Sequence, residues 1–279
     1  MTEASPPIAD ELPGPAELAG YPAIRELGAG SGGHVYEVSA AGGGKLAVKV
    51  LEGAAPTDGQ GEEQLAQRVH AFALIDHPHL VRTYDLAPAG RNLCLVMEYV
   101  AGPDLRQVLA ARRPSPEEVA TWVTQLAEAV DYLHRLGIVH RDLKPSNVLI
   151  AADGSLKLGD VAVSDLLAGA PSVQGTPAYM APELVRGDLL VDGRADVYSL
   201  ATIAYEALCG LPPFPGLGAE AAMAAQLRRP PPDPSRIIPG FPEAVSEVLL
   251  RGLAKAPGER PATAAEFAEA LSPALRGQQ

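Results

Sequence analysis

Residues 140–147 read His140-Arg141-Asp142-Leu143-Lys144-Pro145-Ser146-Asn147, and a further aspartate, Asp160, stands thirteen positions beyond Asn147. A lone His-Arg-Asp arises often by chance. The full octet, with a second acid at this spacing, is a specific signature, because it puts carboxylate, ammonium and amide groups into six consecutive positions. Upstream, Gly28-Ala29-Gly30-Ser31-Gly32-Gly33-His34-Val35 follows a strand-like Ala23–Leu27, and Ala47-Val48-Lys49 follows the glycines. Alone, a G-x-G-x-x-G run is weak evidence. Its dinucleotide-binding form opens a helix and carries an acid about twenty residues on. Here Val35–Val38 reads as strand and Lys49 stands where that acid would be. A hairpin flap over a triphosphate fits better, its glycines letting backbone N–H groups approach phosphate oxygens.

Patterning around these motifs changes character along the chain. Residues 1–20 hold four prolines and four acids with no Lys or Arg, and read as a mobile tail. From Tyr21 to about Val50 the chain shows short apolar runs broken by glycines, and residues 21–100 read as the first lobe. Glu37-Val38, Leu46–Val50 and Arg91–Tyr99 read as strands, with a hairpin at Gly42-Gly43-Gly44. Residues 62–75 read as a helix, with Leu65, Val69, Phe72 and Ala73 at helical spacing. From residue 101 to 272 helices dominate. Ser115-Pro116-Glu117-Glu118 is a helix start, the stripe Val119, Trp122, Val123, Leu126, Val130, Leu133 follows, and Gly137 ends it. Asp196–Leu208 reads as a buried helix. Residues 211–240 carry eight prolines, which predicts irregular chain around a short helix at 219–228. Thr263-Ala264-Ala265-Glu266 opens the last helix, and 273–279 reads as a tail. Strands first and helices after make an α+β fold of two segregated lobes.

The chain has 279 residues, 47% hydrophobic and 20% charged, which is globular composition. A net charge of −12 argues against a nucleic-acid or anionic-membrane surface. Cys94 and Cys209 lie in apolar contexts without metal-site spacing and read as buried thiols of a reducing, cytoplasmic setting. No apolar run reaches the length of a membrane span, and no signal peptide is evident.

Taken together, the motifs resemble those of a protein kinase domain, most closely the bacterial eukaryotic-type (Hanks-type) serine/threonine kinases, over about residues 21–272. The resemblance implies a bilobal kinase fold, with a β-rich first lobe carrying one regulatory helix and a mainly helical second lobe. It implies ATP as phosphate donor, with Mg²⁺ or Mn²⁺. Asp142 would be the catalytic base, Lys144 would stabilise the transferring phosphoryl group, and Asn147 and Asp160 would hold the metal. Lys49 would bind the α- and β-phosphates beneath Gly28, Gly30 and Gly33. Val35, Ala47 and the hinge residues Met97 (gatekeeper), Glu98 and Val100 would surround adenine, and Asp104 would lie at the ribose edge. Thr176 would hydrogen-bond Asp142 and Lys144. Glu183 of Ala181-Pro182-Glu183 would pair with Arg260, Asp196 would hold the catalytic-loop backbone, and His140 would be structural. The implied partners are protein substrates or a signalling partner.

Three positions depart from the family pattern. The usual Asp-Phe-Gly is Asp160-Val161-Ala162, which predicts a metal loop with less backbone freedom. Counting back from His77-Pro78, the position of the glutamate that should pair with Lys49 is Arg68. Glu63 lies five residues away, roughly 140° around a helix. Ser172 is the hydroxyl placed to take a regulatory phosphate opposite Arg141. Two readings follow: an active serine/threonine kinase, favoured by Lys49, Asp142, Asn147 and Asp160, and a pseudokinase scaffold, favoured by Arg68 and Asp160-Val161-Ala162. A small-molecule phosphotransferase fits less well, because those enzymes usually lack the Ala-Pro-Glu and Lys-Pro elements present here.

Overall fold

In the computed structural model, residues 17–30, 33–52, 74–89, 91–161 and 176–276 are described. Residues 62–73 of the helix expected at 62–75, with Arg68 and Glu63, lie outside them, as do Ala162 and Ser172; Leu74 and Ile75, at its expected end, are not helical. The chain divides into two compact units, Met1–Ile75 with Arg82–Tyr99, and Asp76–Val81 with Val100–Gln279.

The first unit is one antiparallel sheet. Its strands are β1 (Glu17–Leu18), β2 (Tyr21–Gly30), β3 (Gly33–Ser39), β4 (Lys45–Leu51), β5 (Thr83–Ala89) and β6 (Asn92–Glu98), in the order β1-β2-β3-β4-β6-β5. Side chains alternate between faces along each strand. One face gathers Val38, Val48, Cys94 and Val96 into a buried cluster. Strand β1 corrects the assignment of residues 1–20 to a tail: Glu17 and Leu18 pair with Pro22 and Tyr21, and Leu18 and Ala19 pack on that cluster. Two residues are too few for a sequence periodicity to reveal.

The second unit is mainly helical. Its helices are α1 (Leu105–Ala111), α2 (Pro116–Arg135), α3 (Pro182–Arg186), α4 (Arg194–Cys209), α5 (Ala219–Arg228), α6 (Pro234–Ile237), α7 (Glu243–Gly252) and α8 (Ala264–Arg276), with a two-stranded ribbon of β7 (Val148–Ile150) and β8 (Leu156–Leu158). Residues 76–81 belong here rather than to the first lobe. The Val81 N–H donates to the Leu158 carbonyl and the Leu158 N–H to that of His79, both at 2.9 Å. Helix α2 starts as its sequence dictates: the Glu118 N–H donates to Ser115 Oγ at 3.2 Å, and the Ser115 N–H donates back to the Glu118 carboxylate at 2.8 Å. All six residues of its predicted stripe are buried. Gly137 ends the chain's helical run with φ of +77°.

Helix α4 is the central post of this unit. Every residue from Ala195 to Tyr205 is buried, with α2, α7 and α8 packed around it. The N-terminus of α8 is capped at a distance, by Asp131 of α2, whose carboxylate accepts the Ala264 and Ala265 N–H groups at 3.0 and 2.9 Å. The local box differs by one residue from expectation: Thr263 Oγ1 accepts the Glu266 N–H, but the Glu266 carboxylate takes the Ala262 N–H. Helix α8 runs to Arg276, past the boundary drawn at 272. Cys209 is half-buried rather than buried.

Candidate active site

The octet is organised by Asp196 from α4. This fully buried carboxylate accepts the backbone N–H groups of His140 at 2.8 Å and Arg141 at 2.9 Å, and the His134 Nε2–H at 2.8 Å. Arg141 adopts φ of +65°, a conformation that non-glycine residues rarely hold unless their surroundings impose it. Asp196 supplies that imposition, as the resemblance implied. Burial alone would raise the Asp196 carboxyl. The His134 hydrogen bond, the neighbouring imidazoles of His140 and His134 and the His140 N–H outweigh it and hold the group below the ordinary carboxylate value. A depressed folded value means that the stability Asp196 adds is present above the unfolded value, about 3.9, and is lost as pH falls through the folded value. Asp196→Asn is therefore expected to destabilise the protein at pH 7 by about 1–3 kcal/mol, since an amide cannot accept all three donors. Urea unfolding should show that deficit shrinking below about pH 4. A deficit independent of pH would contradict this account.

His140 is buried and structural. Its Nε2–H donates to the Gly159 carbonyl at 2.9 Å and its Nδ1 accepts the Asp142 N–H at 3.3 Å, so one neutral tautomer serves both bonds. The Gly159 N–H in turn donates to the Asn147 carbonyl at 2.8 Å. These bonds tie the octet to the segment carrying Asp160, which itself holds φ of +58°.

Three sequence-predicted residues converge on Asp142. Lys144 Nζ donates to Asp142 Oδ2 at 2.7 Å, and Asn147 Nδ2 donates to the same oxygen at 3.2 Å and to the Asp142 carbonyl at 2.8 Å. With both amide hydrogens turned to Asp142, Asn147 keeps its Oδ1 for another partner. Thr176 also reaches Asp142, as the resemblance implied, and does so through its backbone N–H, at 3.3 Å to Oδ1. Asn147 Oδ1 and the Asp160 carboxylate are hard oxygen donors, the set that Mg²⁺ or Mn²⁺ prefers.

In the first unit, Val35 stands opposite Lys49, and Ala47 opposite Met97. Strand alternation therefore puts Val35, Ala47, Lys49 and Met97 on one face, opposite the Val38 cluster. Lys49 is buried there. The Glu98 N–H donates to the Arg82 carbonyl at 2.8 Å, and the Val100 carbonyl accepts the Gly102 N–H at 3.1 Å. Asp104, read from sequence as a ribose contact, is also the N-cap of α1: it accepts the Gln107 N–H at 2.7 Å and meets Arg106 at 3.2 Å.

The two outer glycines of the flap differ. A Cβ on Gly33, at φ of +111°, would lie 1.9 Å from the Val50 carbonyl oxygen, so the hairpin itself demands glycine. A Cβ on Gly28 would meet nothing within 4 Å. Packing does not explain Gly28, whereas close approach of a ligand would. Gly28→Ala is expected to change stability by no more than about 1 kcal/mol yet, if the flap covers ATP as the resemblance implies, to weaken nucleotide binding about tenfold. Gly33→Ala should destabilise by about 1–3 kcal/mol through overpacking. Thermal unfolding and nucleotide titration separate the two; equal stability losses would contradict the distinction.

The Ala181-Pro182-Glu183 element is anchored as expected. Glu183 Oε1 and Oε2 accept Arg260 Nη1 and Nη2 at 2.6 and 2.8 Å, and both residues are buried.

Comparison with known proteins places this geometry. The protein kinase domain family matches residues 21–271. The chain belongs to that family. Serine/threonine-protein kinase Pkn1 of Myxococcus xanthus is 38% identical over 90% of this chain and 38% of its own length. PkaB of Streptomyces coelicolor is 37% identical over 86% of this chain and 60% of its own. PknH of Mycobacterium bovis is 35% identical over 91% of this chain and 44% of its own. The kinase domain thus spans less than two thirds of the length of these curated relatives. The solved PknI kinase domain of Mycobacterium tuberculosis is 33% identical, covering 95% of this chain and 100% of that one, with a TM-score of 0.75. These likenesses make the chain a bacterial Hanks-type kinase domain of α+β, bilobal fold.

Sequence reasoning missed several residues of the kinase domain's site. His134, joined to Asp196 at 2.8 Å, belongs to none of the motifs. Tyr179 Oη donates to the Glu206 carboxylate at 2.6 Å, and Gln226 of α5 donates to the Ala178 carbonyl at 2.7 Å. Neither Glu206 nor Gln226 belongs to a motif; only their fold neighbours identify them.

Proposed function

We propose that this kinase domain transfers the γ-phosphate of ATP to serine and threonine hydroxyls of proteins. Residues 21–100 serve as the N-lobe and 101–272 as the C-lobe, allowing for the revised boundaries above. The observation that carries the reading is the Asp142 carboxylate, aimed by Lys144 and Asn147 and closed on its other oxygen by the Thr176 N–H. Asp142 orients the acceptor hydroxyl and takes its proton. Lys144, already beside that carboxylate, offers a positive charge to the phosphoryl oxygens as they move toward the acceptor. Lys49 and the N–H groups around Gly28, Gly30 and Gly33 hold the triphosphate. Val35, Ala47 and Met97 pack on adenine, the Glu98 and Val100 backbone takes its polar edge, and Asp104 serves the ribose. Asn147 and Asp160 hold Mg²⁺ or Mn²⁺, which neutralises phosphate charge when bound. Catalysis then rests on positioning and electrostatics.

Protein substrates, rather than nucleic acid, suit the net charge of −12. Among the described residues no helix is long and apolar enough to cross a membrane. Two cysteines without a disulfide accord with a cytoplasmic setting. Incubation with labelled ATP, Mg²⁺ or Mn²⁺ and a generic protein acceptor tests the reading. Label recovered as phosphoserine or phosphothreonine is expected. Label on neither, in protein that binds ATP, would overturn it.

A further inference from the structure

A chain of hydrogen bonds crosses the interior of the second unit and ends behind Thr176. Lys255 Nζ donates to Tyr198 Oη at 3.1 Å. Tyr198 Oη makes a short bond to Gln226 Oε1. Gln226 Nε2 then donates to the carbonyls of Pro177 at 3.2 Å and Ala178 at 2.7 Å. Tyr198 and Gln226 are buried. The turn that receives these bonds is closed by the Tyr179 N–H on the Thr176 carbonyl at 3.0 Å, and it presents the Thr176 N–H to Asp142.

The chain has a direction. An ammonium can only donate, so Tyr198 must accept from Lys255 and pass its own hydrogen to Gln226 Oε1. That fixes the orientation of the Gln226 amide, and only that orientation gives two N–H donors to the Pro177 and Ala178 carbonyls. We propose that Lys255 is a positioning residue for the protein substrate, acting through Tyr198 and Gln226 on the turn that carries Thr176. The proposal rests on the kinase reading above for its substrate, though not for its geometry.

A neutral Lys255 amine would remove the direction, because it can accept from Tyr198 and release Gln226 Oε1. Burial, then the positive charge of Arg260, pull the Lys255 ammonium down to about 8, whereas burial pushes the Tyr198 phenol up. The groups facing Lys255 are few. Tyr198 of α4 and Phe214 offer ring faces, their centroids 5.4 and 4.9 Å from Nζ. Arg260, itself paired with Glu183, lies over the same Tyr198 ring, and Arg229 lies over that of Phe214. Substrate binding should therefore weaken as pH rises through about 8.

The test combines hydrogen exchange with kinetics on wild type, Lys255→Met and Lys255→Arg. In Lys255→Met the amides of the Thr176–Met180 stretch should exchange faster, and the KM for a peptide substrate should rise about fivefold, the worth of one hydrogen bond, with the KM for ATP unchanged. Lys255→Arg, which keeps its charge, should restore both values and flatten the rise of peptide KM between pH 7 and 9. Wild-type exchange of the same stretch, corrected for intrinsic rates, should also rise over that range, a measurement that needs no variant. These exchange changes in a protein that transfers no phosphate would count against the kinase reading alone. Active protein in which Lys255→Met leaves both peptide KM and exchange at wild-type values would overturn the relay.

Discussion

Arg260→Ala is expected to lower the stability of the protein by about 3–5 kcal/mol. The arginine spends all five of its N–H donors. Nη1 and Nη2 hold the two Glu183 oxygens, and their second hydrogens reach the Arg194 carbonyl at 2.9 Å and that of Lys255 at 3.1 Å. Nε takes the Ala254 carbonyl at 2.7 Å. Truncation leaves a buried carboxylate and three carbonyls without these donors, and desolvated groups in that state dominate the cost. Lysine cannot repair the defect, since a compact ammonium lacks the planar fork. A double replacement, Glu183→Met with Arg260→Met, should cost clearly less than Arg260→Ala, because it removes both charges. Denaturant unfolding of the three proteins checks this. A double variant at least as unstable as Arg260→Ala would contradict the account of the pair.

Asp142→Asn is expected to lower kcat about 10²–10⁴-fold, the usual worth of a positioned general base. Stability should change little, because the amide keeps an oxygen for one of the donors now on the carboxylate and the side chain is not fully buried. The KM for ATP should stay within about threefold, since none of the nucleotide contacts proposed here comes from Asp142. A loss of ATP binding equal to the loss of turnover would reassign Asp142 from proton acceptor to nucleotide ligand.

What the sequence made legible was mostly local. The octet is a run of neighbours whose chemistry lies in their spacing, and Lys144 and Asn147 meet Asp142 as that spacing requires. Helix α2 was readable from cap to terminal glycine, because a capping box and a stripe of apolar residues are properties of adjacent turns. The Glu183–Arg260 pair was legible only through family resemblance, since seventy-seven positions separate its members. Contacts of similar reach with no motif to flag them stayed hidden: Asp131 capping α8, His134 on Asp196, and Gln226 behind Thr176. Strand β5 was missed because Pro88 and Asp85 break its alternation, although β6 supplies the pairing that makes it a strand. Thr176 shows a finer limit. Resemblance named the residue that approaches Asp142, and only the fold reveals that its backbone N–H makes the contact.

The most direct test is mass-spectrometric mapping of phosphate on the purified protein and on a protein acceptor after incubation with ATP and Mg²⁺, for wild type beside Asp142→Asn. Phosphoserine or phosphothreonine in the wild-type reaction, reduced at least a hundredfold in the variant, is the predicted result. Equal phosphorylation in both reactions, or none in either while ATP still raises the melting temperature, would contradict the assignment of Asp142 as the base of a working kinase.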